Sequence, residues 1–87
     1  MEYIITHNQK ASRFETIVGG QVAYTEYTSV EGGLEFTHTW VPEKLEGKDI
    51  ASALVKFAMD YARENNLKVI PVCPFVKAFL LKHTEYK

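Results

Sequence analysis

The stretch Val41-Pro42-Glu43-Lys44-Leu45-Glu46-Gly47-Lys48-Asp49-Ile50-Ala51 divides the chain into two halves with different periods. Ahead of it the sequence has strand character. Tyr3, Ile5 and His7 alternate with Ile4 and Thr6, and Asn8 to Ser12 reads as a loose loop. The runs Phe14–Val18, Gln21–Val30 and Leu34–Val41 are rich in β-branched and aromatic residues. Gly19-Gly20 and Glu31-Gly32-Gly33 separate them, and glycine-centred turns between such runs predict an antiparallel meander. Behind the stretch, Ile50, Ala51, Leu54, Val55, Ala58, Met59 and Ala62 recur at helical spacing, which predicts an amphipathic helix from Asp49 to Asn65. Asn65-Asn66 is a fitting stop, because Asn tolerates the left-handed cap. Leu67–Ile70 reads as a short strand, Pro71-Val72-Cys73-Pro74 breaks it, and Phe75–Lys82 suits a second helix. The order β-β-β-β-α-β-α makes an α/β (α+β) domain. The helical crossover makes the fourth and fifth strands parallel.

Composition narrows the function classes. A chain of 87 residues fits one domain spanning 1–87. Its net charge of −1, with Lys and Arg scattered among Asp and Glu, gives no basic field for nucleic acid or an anionic membrane. Cys73 is the single cysteine, so no intrachain disulfide forms and a reducing compartment is the simpler reading. The opening Met1-Glu2-Tyr3-Ile4-Ile5-Thr6 lacks the basic start and apolar core of a signal peptide, and no apolar run approaches the ~20 residues of a membrane span. The expectation is a cytoplasmic protein, a monomer or weak dimer. His7 and His83 have no metal-ligand spacing with each other or with Cys73, so no metal is expected.

The dividing stretch also suggests a site. A strand, a polar turn with glycine and a helix start place unpaired backbone N–H groups together at the positive end of a helix dipole. That arrangement binds phosphate, and glycine lets the backbone come close. Asp49 is expected to cap the helix with its own carboxylate. Cys73, followed by Pro74, is expected at the cap of the last helix, where the dipole favours a thiolate.

Further residues carry a resemblance. His38-Thr39-Trp40-Val41-Pro42, Gly47-Lys48-Asp49-Ile50-Ala51, Leu54-Val55, Ala62, Pro71-Val72-Cys73-Pro74-Phe75-Val76 and His83-Thr84-Glu85-Tyr86, in that order and spacing, resemble the small YjdJ-type branch of the GNAT acetyltransferases. The resemblance implies a minimal GNAT-like fold with the fourth and fifth strands splayed and acetyl-CoA in the splay. It implies that backbone N–H groups of Glu46, Gly47, Lys48, Asp49, Ile50 and Ala51 hold the CoA pyrophosphate, and that Thr39, Trp40 and Val41 line the pantetheine arm. It implies that Cys73 lies near the acetyl group, as a covalent acceptor or a thiol assisting transfer. His38 would take a proton from an attacking amine, unless it is a histidine hydrogen-bonded inside the sheet. Tyr86 matches a terminal tyrosine whose expected role is packing. The implied activity is direct attack of an unidentified amine on the thioester of acetyl-CoA, with the protein supplying position and polarisation.

The chain departs from the family pattern at three places. Asp49 stands where a small residue is usual, Glu46 where a basic residue or glutamine is usual, and Trp40 where an acidic residue is usual. Trp40 is expected in the core or along the ligand groove. Glu43, Glu46 and Asp49 outweigh Lys44 and Lys48 around the turn. The same residues therefore allow another reading, a non-catalytic acyl-CoA-binding or interaction module with a weakened site.

Overall fold

The computed structural model describes residues 3–86. Five strands form one sheet in chain order: β1 (Thr6–Asn8), β2 (Arg13–Val18), β3 (Gln21–Val30), β4 (Gly33–Trp40) and β5 (Lys68–Pro71). Neighbours from β1 to β4 are antiparallel, and β4 and β5 are parallel. Helix α1 (Ile50–Glu64) connects β4 to β5, and α2 (Pro74–Lys82) follows β5. Short 3-10 turns occupy Glu43–Leu45 and Thr84–Tyr86. This is the predicted element order with the predicted parallel pair.

The boundaries follow local chemistry. The β2–β3 hairpin closes at Val18↔Gln21 around Gly19-Gly20. Helix α1 ends where Asn65 donates its backbone N–H and its Nδ2 to the Tyr61 carbonyl. Asn66 then turns left-handed at φ +55°. The first strand is shorter than its alternation predicts. Thr16 Oγ1 donates to the Ile4 carbonyl at 2.7 Å, and Tyr3 reaches away to the loop before α1, so residues 3–5 leave the backbone ladder. Gly33 is needed for close approach rather than for a turn. A Cβ there would lie 2.5 Å from the Lys68 carbonyl oxygen, so only glycine lets β5 begin beside β4.

The core lies on one face of the sheet. Phe14, Tyr27 and Phe36 project from β2, β3 and β4 against Val55, Ala58 and Met59 of α1 and Val76 and Phe79 of α2. A second cluster, Ala23, Leu45, Ile50 and Leu54, seals the start of α1. Among the described residues no helix covers the other face, which carries Arg13, Glu15, Tyr24, Glu26, Glu35, His38 and Trp40.

One irregularity decides what β4 presents. Its register with β3 runs Thr25↔Thr39 and Glu26↔His38, then Tyr27↔Phe36, leaving Thr37 as an extra residue. Side chains alternate along a strand, so one inserted residue reverses the faces beyond it and bends the strand. Leu34 and Phe36 point to the core. Past the bulge Thr39 does so too, while His38 and Trp40 turn outward.

Candidate active site

The β4–β5 ladder stops early. Its last pair is Phe36↔Pro71, and the Phe36 carbonyl then accepts from the N–H groups of both Val72 (3.0 Å) and Cys73 (2.8 Å). The chain swings there into α2, while β4 runs on to Trp40 beside β3 alone. The two strands therefore part, and the wedge between them is walled by Thr39 on one side and by Cys73 on the other.

Cys73 occupies the cap position of α2, with Pro74 as the first helical residue. Its thiol does not cap the helix. Sγ instead donates across the wedge to Thr39 Oγ1 at 3.5 Å. Thr39 Oγ1 is in turn 2.9 Å from Thr25 Oγ1, and either hydroxyl serves as donor. Cys73 is 5% exposed and Thr25 fully buried, so this chain of three polar groups runs from the wedge into the sheet.

The wedge opens towards the loop before α1. Leu45 is buried there and anchors the 3-10 turn, Gly47 turns at φ +81°, and Asp49 adopts left-handed φ +59°, ψ +22°. Asp49 is the cap residue, but its carboxylate makes no capping hydrogen bond. The expected side-chain cap is corrected on this point. A left-handed residue does not have the extended backbone from which an N-cap side chain folds back over the first turn. The first N–H groups of α1 therefore have no side-chain acceptor. A left-handed residue leading into a right-handed helix also makes a concave cradle of N–H groups suited to an anion. Tyr3 donates its hydroxyl to the Lys48 carbonyl at 2.6 Å and pins the loop. A cavity of about 220 Å³ lies here, lined by Val41, Leu45, Gly47, Ile50, Ala51 and Phe75 among others. Glu46 and Asp49, both exposed, also line it, and Lys48 between them is exposed. A larger groove of about 550 Å³ lies at the opposite end of α1, against β5 and Tyr86, lined by neither cysteine nor histidine among the described residues.

The structure thus brings Thr39 to Cys73, and Val41 to the Gly47–Ala51 turn, with Phe75 of α2 lining the same cavity as that turn. It places His38 and Trp40 on the opposite face of β4 from Thr39. His38 is exposed on the open face, edge-on to the Tyr24 ring at 6.2 Å, and is not the buried, hydrogen-bonded histidine that was one expectation. Trp40 is 49% exposed on that face rather than in the core. His7 has a structural place. Its Nε2 is hydrogen-bonded to the Tyr27 hydroxyl at 2.6 Å, with the direction set by the imidazole tautomer, its ring stacks on Phe14, and burial pushes its pKa down. Tyr86 packs as expected, donating to Asp60 Oδ1 at 2.6 Å under the Arg63 guanidinium. Thr25, Tyr3 and Phe75 were not among the expected site residues. A threonine between Ala23 and Tyr27 on the buried face was a readable signal for the first. Nothing local marks Tyr3, whose partner lies 45 positions along the chain.

Comparison with known proteins agrees with this architecture. The profile described as GCN5-related N-acetyl-transferase matches residues 13–87. Protein NATD1 of Danio rerio is 31% identical over 88 residues, covering 94% of this chain and 79% of its own length. Protein NATD1 of Xenopus tropicalis is 29% identical over 80 residues, covering 87% and 72%. The solution structure of a GCN5-like protein from Staphylococcus aureus superposes with a TM-score of 0.75 at 30% identity, over 97% of this chain and 83% of that one.

Proposed function

The chain belongs to the GCN5-related N-acetyltransferase family, and on that premise we propose that it moves the acetyl group of acetyl-CoA to an amine within the wedge between β4 and β5. The observation that carries this reading is the early end of the β4–β5 ladder at Phe36↔Pro71. It leaves a slot with the Cys73 thiol on one wall and an uncapped helix start at its outer end. The N–H groups from Glu46 to Ala51 receive the CoA pyrophosphate, which suits donors that have no side-chain partner. Thr39 and Val41 line the pantetheine arm, and Trp40 borders the slot from the open face.

The two faces divide the chemistry. The amine arrives from the open face, where His38 takes its proton as the N–C bond forms. The C–S bond of the thioester breaks, and the Cys73 thiol gives its proton to the departing CoA sulfur. Solvent then restores the proton to Cys73 and removes one from His38. Holding the reactants together in the slot supplies most of the acceleration.

Amide shifts of labelled protein during acetyl-CoA titration test the site. Shifts at Thr39, Gly47, Ile50, Ala51 and Cys73 are expected, and their absence at millimolar acetyl-CoA rejects it. Release of CoA thiol with a panel of amines tests turnover, with Cys73→Ala and His38→Gln expected to slow it. A second reading, an acyl-CoA-binding module without turnover, is favoured by the exposed Glu46 and Asp49 at the cradle's mouth. Binding without thiol release across the panel would select it.

A further inference from the structure

We propose that Thr39, backed by Thr25, is a positioning residue that holds the Cys73 sulfur in the wedge and supplies it with a hydrogen bond in both protonation states. The inference rests on the reading that Cys73 meets the thioester. Its evidence is the chain Cys73 Sγ, Thr39 Oγ1, Thr25 Oγ1, with links of 3.5 and 2.9 Å.

A sulfur that gives up a proton changes its needs. As a thiol it donates, and Thr39 Oγ1 accepts. As a thiolate it requires donors, and a buried anion without them is costly. Thr39 is the side chain hydrogen-bonded to the sulfur, and a hydroxyl both accepts and donates. Turning the Thr39 O–H towards sulfur leaves its oxygen free to accept from Thr25. The chain then runs Thr25 to Thr39 to Cys73, the reverse of the thiol state, and only hydroxyl hydrogens move. Valine would fill the same space without this capacity. Cys73 Sγ is free to take part because it makes no capping bond to α2. The backbone of Cys73 is fixed independently by the 2.8 Å bond from its N–H to the Phe36 carbonyl. The threonines therefore govern the sulfur's hydrogen bonding rather than the course of the chain.

The test needs neither acetyl-CoA nor an amine. Cys73 is the single cysteine, so its alkylation by iodoacetamide in the full chain is read by mass alone. At pH 8, Thr39→Val is expected to slow alkylation by about five-fold or more, the effect of losing a hydrogen bond to a charged group. Thr39→Ser is expected to restore the rate to within about two-fold, since the hydroxyl returns. Thr25→Val, which does not touch the sulfur, is expected to slow it by a smaller factor. A folded Thr39→Val that reacts as fast as the parent, or faster, overturns the proposal, because loosened packing speeds access. So does a Thr39→Ser variant no better than valine. Should Thr39→Val fail to fold, an unchanged rate in Thr25→Val overturns it instead. Intact alkylation behaviour without acetyl transfer would reject the catalytic reading and leave the thiol's positioning standing.

Discussion

The N–H of Cys73 donates to the carbonyl of Phe36 at 2.8 Å, and this bond stands where the β4–β5 ladder ends and the wedge begins. It ties the start of α2 to the last β4 residue paired with β5. The Cys73 wall of the slot is thus fixed to the core strand through backbone. Side-chain exchange at Cys73 should leave the slot's shape unchanged, which makes the variants above interpretable.

Gly33→Ala should weaken the β4–β5 pair. The added Cβ would meet the Lys68 carbonyl at 2.5 Å, a contact with rigid backbone. A cost of about 1–3 kcal/mol is expected. Thermal unfolding should register it as a fall of several degrees, with weaker amide protection at Val69 and Ile70.

Tyr3→Phe should loosen the cradle while sparing the core. It removes one hydrogen bond, 2.6 Å to the Lys48 carbonyl, in an exposed setting. The expected loss of stability is about 0.5–1.5 kcal/mol. Acetyl-CoA affinity by calorimetry should fall by a few-fold, because the Gly47–Asp49 turn loses its tether.

Glu46→Gln should tighten acetyl-CoA binding, by about three-fold at low salt, since an exposed carboxylate beside a pyrophosphate repels it weakly through water. The gain should shrink as salt is added. Equal affinity of parent and variant at low salt would place the pyrophosphate elsewhere.

Stability should decline in two separate steps as pH falls. Burial pushes His7 below its ordinary 6.5, so the unfolded chain takes up the proton first. Its contribution is complete above about 6.5 and is lost as pH falls through the lower folded value. Glu15 is held below its usual 4.5, chiefly by the hydrogen bond from Arg13, and Asp60 is held below 3.8. For Asp60 burial is the largest single effect and raises it, but is outweighed by the hydrogen bonds from Tyr86 and Lys56 together with the charges of Lys56 and Arg63. Their contribution is lost in a more acidic window. Denaturant midpoints measured from pH 7.5 to 3 should resolve both, and His7→Phe should flatten the upper one alone.

The architecture was legible because its signals are periodic. The change from alternation to helical spacing beyond Gly47 marks the crossover, and the glycine turns mark the hairpins. The turn before α1 and the cap position of Cys73 were legible for the same reason. Uniform alternation along β4 would send His38 and Trp40 inward with Leu34 and Phe36, and Thr39 outward. The bulge at Thr37 inverts all three, and nothing in the identity of a threonine announces it. The left-handed backbone of Asp49 was hidden similarly, because aspartate is at home both as a capping side chain and in that conformation. The Thr25–Thr39–Cys73 chain joins three separate elements and appears only once they are folded together.

That bulge is a matter of curvature. Thr37 is the one β4 residue without a partner opposite it on β3, so its identity hardly decides which neighbours see the thiol and which see solvent. Replacement at position 37 should therefore be forgiven. Its removal would pair Phe36 and His38 with consecutive β3 residues and keep the imidazole and indole outward and the Thr39 hydroxyl inward. What would go is the local kink and added twist of the strand. Bend, rather than side-chain chemistry, is what this position contributes.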